Sequence, residues 1–154
     1  MSELKVSLQN DLTAAIRAKD QLTTGTLRMV LSAITNEEVS GKSARELSDQ
    51  EVVTVLNREA KKRKEAATAF DDAQRSELAD RERAELEVLA KYLPEELSQE
   101  ALAAIISAAV AEVTATGQSG PSAMGAVMKI VSPQVTGRAD GAAVATAVKA
   151  ALAN

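Results

Sequence analysis

Residues 48–73, SDQEVVTVLNREAKKRKEAATAFDDA, are the stretch on which the fold turns. Ser48-Asp49-Gln50-Glu51 has the form of a capping box, in which the Ser48 hydroxyl and the Glu51 carboxylate satisfy each other's orphan backbone donors. Behind it, Val52, Val53, Leu56, Ala60, Ala67 and Phe70 recur at helical spacing. The pattern predicts a long amphipathic helix over about 49–73.

The flanking sequence repeats this period. Leu4, Leu8, Leu12, Ala15 and Ile16 line a helix over 3–19, with a break expected at Asp20 to Gly25. Leu27, Val30, Leu31 and Ile34 line another over 26–39, which Gly41 closes. Leu78, Leu86, Leu89 and Tyr92 mark a fourth over 76–92, and Pro94 blocks its continuation past Leu93. From Ser98 onward the chain is rich in Ala and poor in charge. Leu102, Ile105, Ile106, Ala109 and Val113 predict a helix over 99–116, followed by a turn at Gly117-Gln118-Ser119-Gly120-Pro121. Met124, Val127, Met128 and Val131 predict a short helix that Pro133 stops. Gly137 to Gly141 form a tight connection, and Asp140 caps a last helix carrying Val144, Val148, Ala151 and Leu152. The expectation is an all-α protein. A bundle of about four helices fills residues 1–93, and a smaller, Ala-rich three-helix subdomain fills 94–154.

Composition supports this and narrows the chemistry. Apolar residues make up 45% of the 154 residues but aromatics only 1%, so the core is filled by Leu, Val, Ile and Ala rather than by the residues typical of strands. There is no Cys and no His, which excludes disulfides, thiolate chemistry and the commonest general base and metal ligand. No catalytic constellation, metal site or cofactor is expected. Glu3 and Asp11 interrupt any leader pattern, and no apolar run approaches the ~20 residues of a membrane span. The compartment expected on this ground is the cytoplasm, with no membrane partner.

Net charge is −4, but the basic residues are not spread evenly. Arg58, Lys61 and Lys62, with Glu65, fall on the outer face of the long helix. They read either as a solvated face or as a ridge tracking a nucleic-acid backbone. Arg63 instead projects into the apolar stripe, seven residues from both Leu56 and Phe70. A guanidinium facing a core needs a carboxylate, and Glu38, Glu82 and Glu85 break their own helical stripes as candidate partners. The alternative is that Arg63 snorkels at the bundle edge. In the C-terminal part, Met124 and Met128 read as core, and Gly125 as a point of close backbone approach. Lys129 and Arg138, near the start of the last helix, form a candidate anion-binding corner that Asp140 opposes.

Taken in order, Thr26-Leu27-Arg28-Met29, Asn36-Glu37-Glu38-Val39, Lys61-Lys62-Arg63-Lys64-Glu65-Ala66-Ala67, Glu85-Leu86 to Tyr92-Leu93-Pro94, and Met124-Gly125 through Gly137-Arg138-Ala139-Asp140-Gly141 resemble the YqeY-like proteins of the GatB/YqeY family. The resemblance covers nearly the whole chain. It implies two α-helical subdomains of the kind that also form the C-terminal tail of GatB, a subunit of the glutamine-dependent aminoacyl-tRNA amidotransferase. There the tail contributes to tRNA recognition, while the carbon–nitrogen ligase chemistry sits elsewhere. The resemblance therefore implies a non-catalytic module with a tRNA-related role, either binding tRNA or docking to an amidotransferase-type complex. Its candidate RNA contacts are Arg58, Lys61, Lys62, Lys64, Lys129 and Arg138. The competing expectation is a protein-interaction module without RNA affinity, using an Ala/Val/Met groove of the C-terminal part.

Overall fold

A computed structural model describes all residues, Met1–Asn154. The chain is all-helical: α1 (Glu3–Arg17), α2 (Gln21–Val39), α3 (Asp49–Asp72), α4 (Ser76–Ala90), α5 (Gln99–Ala115), a 3-10 turn (Gly120–Ala123), α6 (Met124–Val135) and α7 (Gly141–Ala153). It divides into two compact units, Met1–Leu93 and Pro94–Asn154.

The first unit is a four-helix bundle in which α3 and α4 form the most extensively packed pair. Leu8, Leu27, Val30, Ile34, Val52, Leu56 and Leu89 are fully buried at its centre. The capping box opens α3: Glu51 N donates to Ser48 Oγ at 3.3 Å, and Ser48 N donates to Glu51 Oε2 at 2.8 Å. Asp49 accepts from the Ser2 hydroxyl and, at 3.2 Å, from Leu4 N, which fastens the start of α1 to the start of α3. Lys5 Nζ grips both oxygens of Glu38 at 2.8 and 2.7 Å, joining α1 to α2. Tyr92 donates to Asp11 Oδ2 at 2.6 Å, tying the end of this unit back to α1.

One boundary differs from expectation. Gly25 does not lie in a break; α2 starts at Gln21 and runs through it. The Asp20 carboxylate accepts from Thr23 N at 3.1 Å and from the Thr23 hydroxyl at 2.7 Å, a cap that starts the helix earlier. Burial of Thr26, Leu27, Val30 and Ile34 then outweighs the ~1 kcal/mol that an interior glycine costs.

In the second unit α5, α6 and α7 enclose Ile106, Ala109, Val127, Val131, Val144 and Val148. The Ser98 hydroxyl caps α5 through Ala101 N at 3.0 Å, and Asp140 caps α7 through Ala143 N at 3.2 Å. Pro133 does not stop α6, which continues to Val135 and closes with Thr136 N donating to Ser132 O at 3.0 Å. The amide that Pro133 lacks would have bonded only the carbonyl of Lys129, an exposed residue in the final turns, where water can take its place. Gly137 has φ +78°, the left-handed conformation that lets the chain leave α6. Gly125 needs no such account and no close approach either: it is exposed, and a Cβ there would meet nothing within 4 Å.

Candidate functional site

The most unusual chemistry in the chain lies where α2, α3 and α4 meet. Arg63, in the middle of α3, is 3% exposed. Its Nη1 donates to Glu59 O at 3.0 Å and to Glu59 Oε2 at 3.1 Å, and its Nε donates to Glu85 Oε2 at 3.2 Å. Its Nη2 is covered by the thioether of Met29 from α2, with Sδ at 3.8 Å. The network extends to the surface at both ends. Lys62 Nζ reaches Glu59 Oε1 at 2.8 Å, and Arg81 Nε lies 3.7 Å from Glu85 Oε1. Burial pushes the Glu59 carboxyl up, while the hydrogen bonds from Lys62 and Arg63 more than offset this and hold it below its ordinary value of 4.5. A chain of alternating charges thus links α3 to α4 under the Met29 thioether of α2, and its central member is desolvated.

The carboxylates named from sequence divide. Glu85 meets Arg63. Glu38 does not: it faces the other side of α2 and is taken by Lys5 at 2.7 Å. Glu82 is half-buried on α4, and the ion pairs of Arg63 go to Glu59 and Glu85. Glu59 is the partner that sequence reasoning missed. Its signal was local, four residues before Arg63 and three after Leu56, which puts it on the inner edge of the same helix face.

The candidate RNA contacts are also divided by the structure. Arg58, Lys61, Lys62 and Lys64 are all exposed along the outer side of α3. Arg58 Nη1 lies 3.1 Å from Glu37 Oε2, and Lys62 is shared with Glu59, so part of the positive field of the row is balanced. Lys129 is exposed on α6 in the other unit. Arg138 is half-buried, and its Nε donates to Glu95 O at 3.1 Å while its own carbonyl accepts from Leu97 N at 2.9 Å. Arg138 therefore pins the turn after α6 to the segment before α5. Asp140, the residue that opposes the anion-binding corner expected around Lys129 and Arg138, is the cap of α7.

The Ala/Val/Met surface expected for protein docking in the second unit turns partly into its core. Val127 is fully buried, and Met124 and Met128 are partly buried against the core. The exposed large apolar side chains, Met1, Val6, Ile16, Leu22, Met29 and Val39, all lie in the first unit.

These features define a class: a two-unit helical protein whose first unit is organised around a buried guanidinium and bears a row of surface cations. The chain belongs to the Yqey-like protein family, whose family model matches residues 5–152. It is 36% identical over 87 residues to Altered inheritance of mitochondria protein 41, mitochondrial, of Clavispora lusitaniae, covering 56% of this chain and 49% of that protein. It is 34% identical over 88 residues to the protein of the same name from Saccharomyces cerevisiae, covering 56% of this chain and 46% of that protein. An uncharacterized protein of Schizosaccharomyces pombe is 31% identical over 96 residues, covering 62% of this chain and 76% of that one. The chain thus spans about half the length of the two mitochondrial relatives. Their names overturn the expectation of a cytoplasmic compartment, which rested on the absence of a leader pattern and of a long apolar run.

Proposed function

We propose that this chain is a non-catalytic module with a tRNA-related role, contacting the RNA backbone through the outer side of α3. The observation that carries the reading is the row Arg58, Lys61, Lys62 and Lys64, exposed within two turns of one helix. Position within the chain adds to it, because of the 18 Lys and Arg residues only Lys129, Arg138 and Lys149 lie beyond Leu93, although residues 1–93 also hold 17 of the 22 Asp and Glu. So does the likeness to the tail domain of the amidotransferase subunit GatB. The net charge of −4 and the carboxylates bound to Arg58 and Lys62 point to weak binding, or to binding as part of a larger complex. A protein-docking module without RNA affinity is the competing reading, favoured by the exposure of Met29 and Leu22.

Salt separates the two. Backbone contact releases counterions, so affinity falls steeply with salt, with a log–log slope of about −0.9 to −0.7 per phosphate engaged. The test is binding of purified protein to bulk tRNA at two salt concentrations, beside a Lys61→Glu/Lys64→Glu variant. Lys62 is left in place because its reversal would set a second carboxylate against Glu59. Salt-sensitive binding that the variant loses supports the proposal, and no binding at low salt removes it.

A further inference from the structure

A second surface of the first unit lies on α2. Leu22 and Met29 are 39% and 54% exposed. They stand seven residues apart with Gly25 between them, so the three share one side of the helix over about 10 Å of its length. Gly25 is exposed, and a Cβ there would meet nothing within 4 Å, so nothing inside the unit calls for a glycine. What a glycine does offer at such a place is a flat strip on which another backbone can come close. Cations flank the strip on both sides. Arg28 is exposed on α2 itself. On the other side, Met29 touches Arg63, which is bonded to Glu85 and Glu59, and these in turn hold Arg81 and Lys62 at the surface.

We propose that this face of α2 docks an acidic amphipathic helix of a partner protein. Its small and aliphatic residues lie along Leu22, Gly25 and Met29, and its carboxylates meet Arg28 on one side and Arg81 and Lys62 on the other. Charge complementarity names the sign of the partner, and the apolar strip names its kind. A nucleic-acid backbone would match the cations but has nothing to place against Leu22 and Met29, whereas an acidic helix matches both.

The test uses the full chain and a synthetic helical peptide with Leu and Ala along one face and Glu flanking that face. Its controls are the same peptide with Lys in place of Glu, and a short RNA duplex. Binding is followed by backbone amide chemical shifts. The acidic peptide is expected to bind with Kd tighter than about 1 mM and to shift Leu22, Gly25 and Met29, while the basic peptide does not. Gly25→Leu is expected to weaken binding by about tenfold or more while the melting temperature holds or rises, since leucine is the better helix former. Arg28→Glu is expected to weaken it without unfolding the chain. The proposal is overturned if no shifts appear, if both peptides bind alike, if Gly25→Leu binds as well as the parent, or if the RNA duplex shifts this strip and the peptide does not.

Discussion

Arg63 and Glu59 are 3% and 7% exposed among the leucines and valines of the first unit, whereas the second unit buries Val127, Val131 and Val148 completely and no charged side chain at all. Both units are helical and both exclude water, but they fix their helices differently. An aliphatic core selects one arrangement through shape, by the fit of many small contacts. The guanidinium of Arg63 adds direction: its donors meet Glu59 and Glu85 in one rotational setting of α3 against α4. Sensitivity to substitution therefore follows different rules in the two halves. In the first, the worst change is the one that leaves a charge alone. In the second, it is the one that leaves a hole.

The largest effect should come from Arg63→Ala, which strands Glu59 and Glu85 and is expected to destabilise the first unit by about 3–5 kcal/mol. Amide hydrogen exchange read over 1–93 and 94–154 is the check, with protection lost mainly over 1–93. Ile106→Ala should do the converse, at a cost of roughly 3 kcal/mol confined to the second unit. Equal loss of protection in both halves from either variant would show that the two units do not fix their helices separately. The triple replacement Arg63→Met/Glu59→Leu/Glu85→Leu gives the first unit an aliphatic core like that of the second. Denaturant unfolding should show stability within about 1 kcal/mol of the parent, or above it.

Acid provides a smaller test. The folded Glu59 carboxyl titrates below its ordinary value of 4.5, so the unfolded chain takes up its proton first as pH falls. The stability it contributes is present above that value and is lost as pH drops through the folded one. Glu59→Gln should flatten the stability–pH curve below about pH 4.5. The smallest effect is expected from Gly125→Ala, which has open space for the methyl group and should raise stability by roughly 0.5 kcal/mol in thermal unfolding.

The helical architecture was legible because its signals are local and periodic. Ser48 and Glu51 lie within one turn of each other, and the stripes of α3 and α5 recur without ambiguity. The misreadings fell where two local rules compete. Gly25 reads as a breaker, yet the Asp20 cap and four buried side chains keep α2 intact. Pro133 reads as a stop, yet so near a helix end it removes only one bond. At the candidate site, the need of Arg63 for a carboxylate follows from its place on the stripe, but the choice of partner depends on how helices rotate against one another. That rotation sends Glu38 to Lys5 and brings Glu85 inward. Arg138 shows the same limit: its sequence reads as a free cation, and only the folded turn reveals that it holds Glu95.

Tyr92 is the sole tyrosine of a chain without tryptophan, and it donates to Asp11 across the first unit. Burial, together with that carboxylate, pushes its phenol well above the ordinary value of 10.0. The protein therefore carries a single built-in optical probe, and only in one half. Its delayed conversion to tyrosinate in alkali reports whether α1 and the segment just after α4 are together. The Ala-rich half, with no chromophore of its own, unfolds in the dark.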